Sequence, residues 1–208
     1  MTRVIYLHGF ASGPRSSKAQ FFGHKLRERG VAVEIPQLDG GDFEGLTVTG
    51  QLAVIDRVVA GRPAVLMGSS LGGYLAALYA ARHPVIEQLV LLAPAFQFPR
   101  RLRERYTPED LDRWKREGSF PVYHYGYQEV RKLGYQLLED AAGYEGEPDF
   151  EQPALVIHGT ADTVVPASVS QAFAAKHANV TLHLVESGHE LTDILEPMWE
   201  RCISFFRW

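Results

Sequence analysis

Short apolar runs alternate along the chain with stretches whose apolar residues recur at helical spacing. The apolar runs are rich in β-branched residues and contain few polar positions, which is typical of strands that are buried on both faces. The predicted strands cover residues 4–7, 31–35, 64–67, 85–93, 154–158 and 180–185, and the predicted helices cover 16–29, 46–60, 71–82, 167–177 and 194–208. This alternation predicts an α/β fold with a doubly wound, mostly parallel sheet of about six strands and helices on both faces.

The alternation is interrupted once, between residues 97 and 150. This segment is rich in Arg, Glu and Tyr and has no long β-branched run, so we expect a small helical lid inserted over the carboxyl edge of the sheet. Its aromatic residues either line an acyl or aromatic pocket or pack on the sheet. They are Tyr106, Trp114, Tyr123, His124, Tyr125, Tyr127, Tyr135 and Tyr144. The arginine-rich stretch at 99–105 is either a solvated helical face or a site that attracts an anionic acid or a phosphate-bearing thioester.

Length and charge narrow the range of functions. The 208 residues are 46% hydrophobic and carry a net charge of −4, which fits one globular domain over 1–208 and argues against binding of nucleic acid. Cys202 is the only cysteine, so no internal disulfide can form. We find no signal peptide and no apolar run of the ~20 residues that a membrane span needs, and therefore expect a cytoplasmic protein.

The sequence Gly68-Ser69-Ser70-Leu71-Gly72 matches the pattern G-x-S-x-G between a predicted strand and a predicted helix. A serine hydroxyl is a weak nucleophile at neutral pH and becomes effective on a sharp turn beside a base. Ser70 is the predicted nucleophile, and Ser69 is interpreted as structural. The alternative is a glycine-rich turn with a structural role, or a phosphate cradle.

The order Ser, then acid, then His predicts the other two members of a catalytic triad. Asp162 follows the fifth predicted strand, and His189 follows the last one, so both lie at the same edge of the sheet as Ser70. Asp162 orients the histidine in this reading, and His189 is the general base. Taken alone, Asp162 also fits a turn or a helix cap, and His189 also fits an inert surface residue.

The seven other histidines do not follow the last strand, as the base of a triad should. His8 and His158 end predicted strands and are placed to hydrogen-bond the backbone around the site, whereas the others fall in or at the ends of helices, in the insertion or inside a strand, namely His24, His83, His124, His177 and His183. A zinc site is disfavoured, because no HExxH or HxH motif and no cysteine pair occurs. We expect no metal and no cofactor.

Backbone N–H groups next to the nucleophile complete the predicted site. The loop after the first strand, His8-Gly9-Phe10, is placed to direct an N–H at the substrate oxygen, together with the N–H of Leu71. Phe10 is the first choice for the donor in this loop, and Ala11 is the alternative.

These motifs resemble the α/β-hydrolase superfamily. The resemblance is carried by YLHGF at 6–10, GSSLGG at 68–73, HGTADTVVP at 158–166 and SGH at 187–189, and it spans nearly the whole chain. The chain is similar to small bacterial serine esterases and to a mitochondrial acyl-protein thioesterase. The resemblance implies a compact enzyme that lacks the two antiparallel strands with which larger relatives open.

The predicted activity is hydrolysis of a carboxylic ester through an acyl-serine intermediate, on a small-molecule ester or thioester substrate. Thioesterase, lactonase and peptidase activities on the same triad are alternatives. A non-catalytic protein that uses the hydrolase fold to bind a small molecule is a further alternative.

Overall fold

A six-stranded parallel sheet forms the centre of the protein, as the apolar runs predict. The computed structural model describes residues 3–206. The strands follow the order β2-β1-β3-β4-β7-β8, and each neighbouring pair is parallel. Their bounds are β1 Arg3–Leu7, β2 Ala32–Glu34, β3 Ala64–Ser69, β4 Ile86–Leu92, β7 Ala154–Gly159 and β8 Val180–Val185. Strand order reverses between β1 and β3, and such a switch point opens a crevice at the carboxyl edge.

Helices cover both faces of the sheet and divide the core into two clusters. The first lies between the sheet and α1 and α8, and the second packs α2, α3 and α7 on the opposite face. The helices are α1 Ser17–Glu28, α2 Val48–Val59, α3 Leu71–Ala80, α7 Ala167–Ala174 and α8 Leu195–Phe206. Helix α8 follows a 3₁₀ turn at Thr192–Ile194, and the last two residues of the predicted helix, 207 and 208, lie outside the described residues.

Glycines end the first two helices where the sequence predicts. Gly30 follows α1 with a φ of +74°, and Gly61 follows α2 with a φ of +65°. A left-handed residue at this position lets the chain leave a helix without the steric penalty of a Cβ atom. At its other end, α2 is capped by Thr47, whose hydroxyl accepts a hydrogen bond from the N–H of Gly50.

The inserted segment is helical in three places and also contains a hairpin that the sequence did not reveal. Its elements are α4 Phe98–Glu104, α5 Pro108–Glu117, β5 Ser119–His124, β6 Glu129–Gly134 and α6 Gln136–Ala141. Strands β5 and β6 pair antiparallel. Their sequences carry charged and aromatic residues because much of this two-stranded sheet faces solvent, so the long β-branched run of a buried strand is absent. The expectation of a purely helical insertion is therefore corrected.

None of the helices between residues 3 and 206 has the length and apolarity that crossing a lipid bilayer requires.

Candidate active site

Ser70 occupies a strained turn between β3 and α3. Its φ and ψ are 53° and −117°, a combination that residues with a side chain rarely adopt. The turn is fixed by strand β4 and the loop after it, since the Ser70 N–H donates to the Leu92 carbonyl at 2.9 Å and the Ser70 carbonyl accepts from the Ala95 N–H at 3.0 Å. Such strain holds the hydroxyl at the carboxyl edge of the sheet.

Two glycines make this turn possible by letting backbone segments touch. A Cβ atom on Gly68 would collide with the backbone of Gly72, and one on Gly72 would collide with the carbonyl oxygens of Leu7 and His8. The start of α3 therefore packs directly against the end of β1. This contact explains why the G-x-S-x-G spacing demands residues without side chains at both ends.

A continuous chain of hydrogen bonds connects the three predicted site residues. His189 Nε2 lies 2.9 Å from Ser70 Oγ, and His189 Nδ1 lies 2.7 Å from Asp162 Oδ2. A carboxylate can only accept, so Nδ1 carries the proton and the lone pair of Nε2 faces the serine hydroxyl. The structure thus brings together, in order, the residues that the sequence places at three separate strand ends.

The Asp162 carboxylate is fully buried and accepts four hydrogen bonds. Its Oδ1 atom accepts from the N–H groups of Val164 at 2.8 Å and Val165 at 2.7 Å. Its Oδ2 atom faces both His189 and Nε2 of His158, the latter at 3.1 Å. These bonds fix the orientation of the carboxylate and satisfy a group that burial would otherwise destabilise.

His158 is a second histidine on Asp162. Its side chain is fully buried, and its Nε2 also lies 2.8 Å from the Val165 carbonyl, while Nδ1 lies 2.7 Å from Ser170 Oγ. Two acceptors face Nε2, so that atom carries the proton and Nδ1 accepts from the serine hydroxyl. Burial lowers the pKa of His158, which keeps the ring neutral. The sequence analysis expected His158 to bond backbone near the site, which it does, but missed its contact with Asp162.

Lys18 is a further residue beside the site that the sequence analysis missed. Its ammonium group, on the buried face of α1, donates to the carbonyl of Glu190, the residue that follows His189. Burial lowers the pKa of Lys18 below its usual value. Lys18 therefore ties the histidine loop to α1, and no local signal identifies such a role because 172 positions separate the two residues.

The loop that follows β1 lies beside Ser70, as predicted. Phe10 and Leu71 both line the cleft that contains Ser70, and in the chain from residue 3 to residue 206 neither of their N–H groups has a hydrogen-bond acceptor. Ala11, the alternative donor, is buried with a φ of +50° and is not among the residues that line the cleft.

His8 and the hairpin hold this loop from two sides. The buried His8 ring accepts from the Leu38 N–H at 3.2 Å through Nε2, and its Nδ1 donates to the Gly9 carbonyl at 3.0 Å. Burial lowers the pKa of His8. At the tip of the hairpin, the Tyr125 N–H donates to the Ala11 carbonyl at 2.7 Å. The hairpin thus contacts the loop that carries Phe10, one of the two predicted oxyanion donors.

A cleft of about 420 Å³ opens above Ser70. Its walls are mostly apolar, and charged side chains of α4 and the residue after it add to the lining. Apart from Phe10, Ser70 and Leu71, the lining comprises Ala95, Phe98, Arg101, Leu102, Glu104, Arg105 and the segment 163–165. Of the insertion, α4 and the adjoining Arg105 thus form part of this cleft.

None of the eight aromatic residues that the sequence analysis named in the insertion lines the cleft, and several of them pack against one another, which favours packing over an aromatic pocket. Phe98 of α4 is the aromatic residue of the insertion that does line the cleft. Trp114 is fully buried and contacts the rings of Tyr106, Phe120 and Tyr135. Its indole N–H donates to the Leu133 carbonyl at 2.8 Å. This cluster joins α5 to the hairpin.

Across residues 3–206, no group of three or more His, Cys, Asp or Glu side chains is arranged to hold a metal ion.

Solved structures share this fold. Est1E from Butyrivibrio proteoclasticus, determined with bound ferulic acid, superposes with a TM-score of 0.79 at 23% identity, covering 98% of this chain and 90% of Est1E. Mouse alpha/beta hydrolase domain-containing protein 10 superposes with a TM-score of 0.79 at 19% identity, covering 97% of this chain and 89% of its own. The fold is therefore the α/β-hydrolase fold, which confirms the resemblance seen in the sequence motifs.

Sequence comparison identifies a similar human protein and a protein family that matches this chain. Human monoacylglycerol lipase ABHD6 is 24% identical over 237 residues, which cover 90% of this chain and 70% of ABHD6. The profile of UPF0227, described as an uncharacterised protein family, matches residues 3–207. With nearly its whole length matched, the chain belongs to the UPF0227 family and has the α/β-hydrolase fold.

Proposed function

We propose that this protein is a serine hydrolase that cleaves carboxylic esters through an acyl-Ser70 intermediate. The observation that carries the proposal is the hydrogen-bonded chain from Ser70 through His189 to Asp162, with distances of 2.9 and 2.7 Å, at the floor of a mostly apolar cleft. Nucleophile and base lie within hydrogen-bond reach, and a third group orients the base, which is the arrangement that activates a serine hydroxyl.

The reaction begins with proton transfer from Ser70 Oγ to Nε2 of His189 as Oγ attacks the ester carbonyl carbon. Negative charge develops on the carbonyl oxygen, and the free N–H groups of Phe10 and Leu71 are the proposed donors that stabilise it. Asp162 stabilises the imidazolium through Nδ1–H. The tetrahedral intermediate then expels the alcohol oxygen, which takes the proton from Nε2, and leaves the acyl group on Ser70.

The second half-reaction reverses these roles with water. His189 accepts a proton from water, the resulting nucleophile attacks the acyl-enzyme, and Ser70 leaves with the proton returned by Nε2–H. This sequence requires no metal or organic cofactor. We also propose that the chain works as a single domain over 1–208, with residues 97–150 as its lid and α4 as the part of the lid that meets the substrate.

Similarity supports the choice of an ester substrate. ABHD6 is a monoacylglycerol lipase by name, and an Est1E structure contains ferulic acid. The same triad chemistry serves thioesters, lactones and amides, so the leaving group is a separate question. Turnover of matched ester, thioester and amide substrates answers it.

Labelling with a fluorophosphonate probe, followed by intact mass and peptide mapping, tests the proposal directly. Stoichiometric labelling of Ser70 in the wild type, lost in Ser70→Ala and His189→Ala, is the expected result. Ser69→Ala is the matched control, because Ser69 is the neighbouring hydroxyl and should leave labelling intact. A well-folded wild type that neither labels nor hydrolyses p-nitrophenyl esters would refute the proposal and favour a binding protein.

A further inference from the structure

Helix α4 and the residue after it carry an arginine-rich surface that the proposed mechanism does not use. The residues are Arg100, Arg101, Arg103 and Arg105. Only Arg101 and Arg105 line the cleft above Ser70, together with the apolar Phe98 and Leu102 of the same helix. Positions 101 and 105 are four residues apart and therefore share one face of the helix. Arg101 is half-buried and Arg105 is exposed to solvent, so the solvated-face interpretation does not fit Arg101.

The charges of these two arginines are not balanced by neighbouring carboxylates. Within residues 3–206, neither Arg101 nor Arg105 has a carboxylate within ion-pair distance, and the guanidinium of Arg101 instead donates to the Val164 carbonyl. Glu104 also lines the cleft, but its carboxylate accepts from Arg100 at 2.7 Å. Two positive charges thus face an otherwise mostly apolar cleft that holds the reactive serine.

A guanidinium with free donors beside an apolar wall is suited to bind an oxyanion. Arg presents five N–H donors in a planar fork that matches carboxylate and phosphate oxygens. Arg101 is half-buried, so its charge has lost part of its hydration, and its hydrogen bond to the Val164 carbonyl uses one of its five donors. A substrate anion would supply the missing acceptor and counter-charge.

We propose that the cleft selects esters whose acyl or alcohol part carries an anionic oxyacid group, a carboxylate or a phosphate, and that Arg101 and Arg105 recognise this group. The inference rests on the proposed function of Ser70 and adds the substrate class. Arg101 and Arg105 are specificity residues in this assignment, because they contact the substrate away from the reacting carbonyl.

Matched pairs of a charged and a neutral ester test the inference. p-Nitrophenyl hydrogen adipate against p-nitrophenyl methyl adipate places the charge on the acyl side, and 4-acetoxybenzoate against its methyl ester places it on the alcohol side. A third pair, 4-acetoxyphenyl phosphate against phenyl acetate, replaces the carboxylate by phosphate. The measured quantity is the ratio of kcat/KM for the charged ester to kcat/KM for its neutral partner.

The wild type should prefer the charged ester in at least one pair. The pair with the strongest preference identifies whether the anionic group belongs to the acyl or the alcohol part, and whether it is a carboxylate or a phosphate. Arg105→Gln should lower that ratio about tenfold, mainly through a higher KM for the charged ester, and Arg101→Gln should lower it similarly. The preference should weaken as NaCl is raised, because salt screens partly exposed charges. Arg103→Gln is the matched control, since Arg103 is exposed on the same helix but does not line the cleft.

Two results would overturn the inference while leaving the proposed function intact. One is turnover of neutral esters, with labelled Ser70, but no preference for the charged partner in any pair. The other is a ratio that falls as much in Arg103→Gln as in Arg105→Gln, since that would show a general effect of surface charge. Absence of both labelling and turnover in the wild type would instead refute the Ser70 chemistry on which the inference rests.

Discussion

His158 offers a quantitative test of how the buried polar groups support the site. We consider His158→Leu, which keeps a similar apolar volume and removes both ring nitrogens. Asp162 keeps His189 and its two backbone donors after this change, so the hydrogen-bonded chain to Ser70 persists. The groups that lose their partner are the Val165 carbonyl and the Ser170 hydroxyl.

The magnitude follows from the burial of these two groups. Ser170 is fully buried and Val165 is 4% exposed, so water cannot replace the lost ring. A buried donor or acceptor without a partner costs about 1–3 kcal/mol, so His158→Leu should lower the free energy of unfolding by about 2–6 kcal/mol. That is a large share of the ~5–15 kcal/mol by which a domain is stable.

A double-mutant cycle separates this effect from a general loss of packing. Ser170→Ala removes one of the two groups that His158→Leu leaves without a partner. Its effect on the free energy of unfolding should therefore be smaller by about 1–3 kcal/mol in the His158→Leu background than in the wild type. Urea unfolding of the four proteins gives this coupling energy. A cycle that is additive within ~0.5 kcal/mol would refute the hydrogen-bond assignment.

Three further predictions address the acid, the pH dependence and the hairpin. Asp162→Asn should lower kcat by about 10³–10⁴-fold, because an amide cannot orient the His189 tautomer as a carboxylate does. A loss of less than tenfold in ester hydrolysis would exclude Asp162 as the orienting acid. Burial lowers the pKa of His8 and His158, so the unfolded chain binds more protons below about pH 6.5. The free energy of unfolding should therefore be greatest above that pH and fall below it, by up to about 1.4 kcal/mol per pH unit for each of the two rings. An unfolding free energy that stays constant down to about pH 5.5 would contradict neutral, buried His8 and His158 rings. Gly126→Ala places a Cβ atom about 3.0 Å from the backbone of Ser12, so it should shift the loop after β1. We expect kcat to fall about tenfold with little change in KM. An unchanged kcat in steady-state assays would refute a role of this contact in catalysis.

Parallel strands explain why the central sheet could be predicted from sequence. The central strands are covered by helices on both faces, so each of them appears in the sequence as a continuous apolar run. The six predicted runs correspond to the six strands of the observed sheet. Their carboxyl ends meet at one edge, which is why Ser70, Asp162 and His189 could be placed together before any distance was known.

The insertion shows where such reasoning stops. Strand β5 mixes half-buried and exposed positions and includes Pro121, and half of the residues of β6 are charged, so neither resembles a buried strand. The contact of His158 with Asp162 had a local signal, because the two residues are four positions apart and flank the end of β7. The contact of Lys18 with Glu190 had none, since it depends on how α1 packs in the folded chain.

The structure also divides the insertion into two parts, for which we predict separable effects on catalysis. Helix α4 lines the cleft above Ser70, whereas the hairpin tip contacts the loop of Phe10 through the bond from Tyr125 to Ala11. We therefore predict that changes on α4 alter substrate binding and appear mainly in KM. Changes at the hairpin tip should move Phe10, the proposed oxyanion donor in that loop, which would interact most strongly with the transition state, and so should appear mainly in kcat. An insertion that acted only as a cover would show no such division.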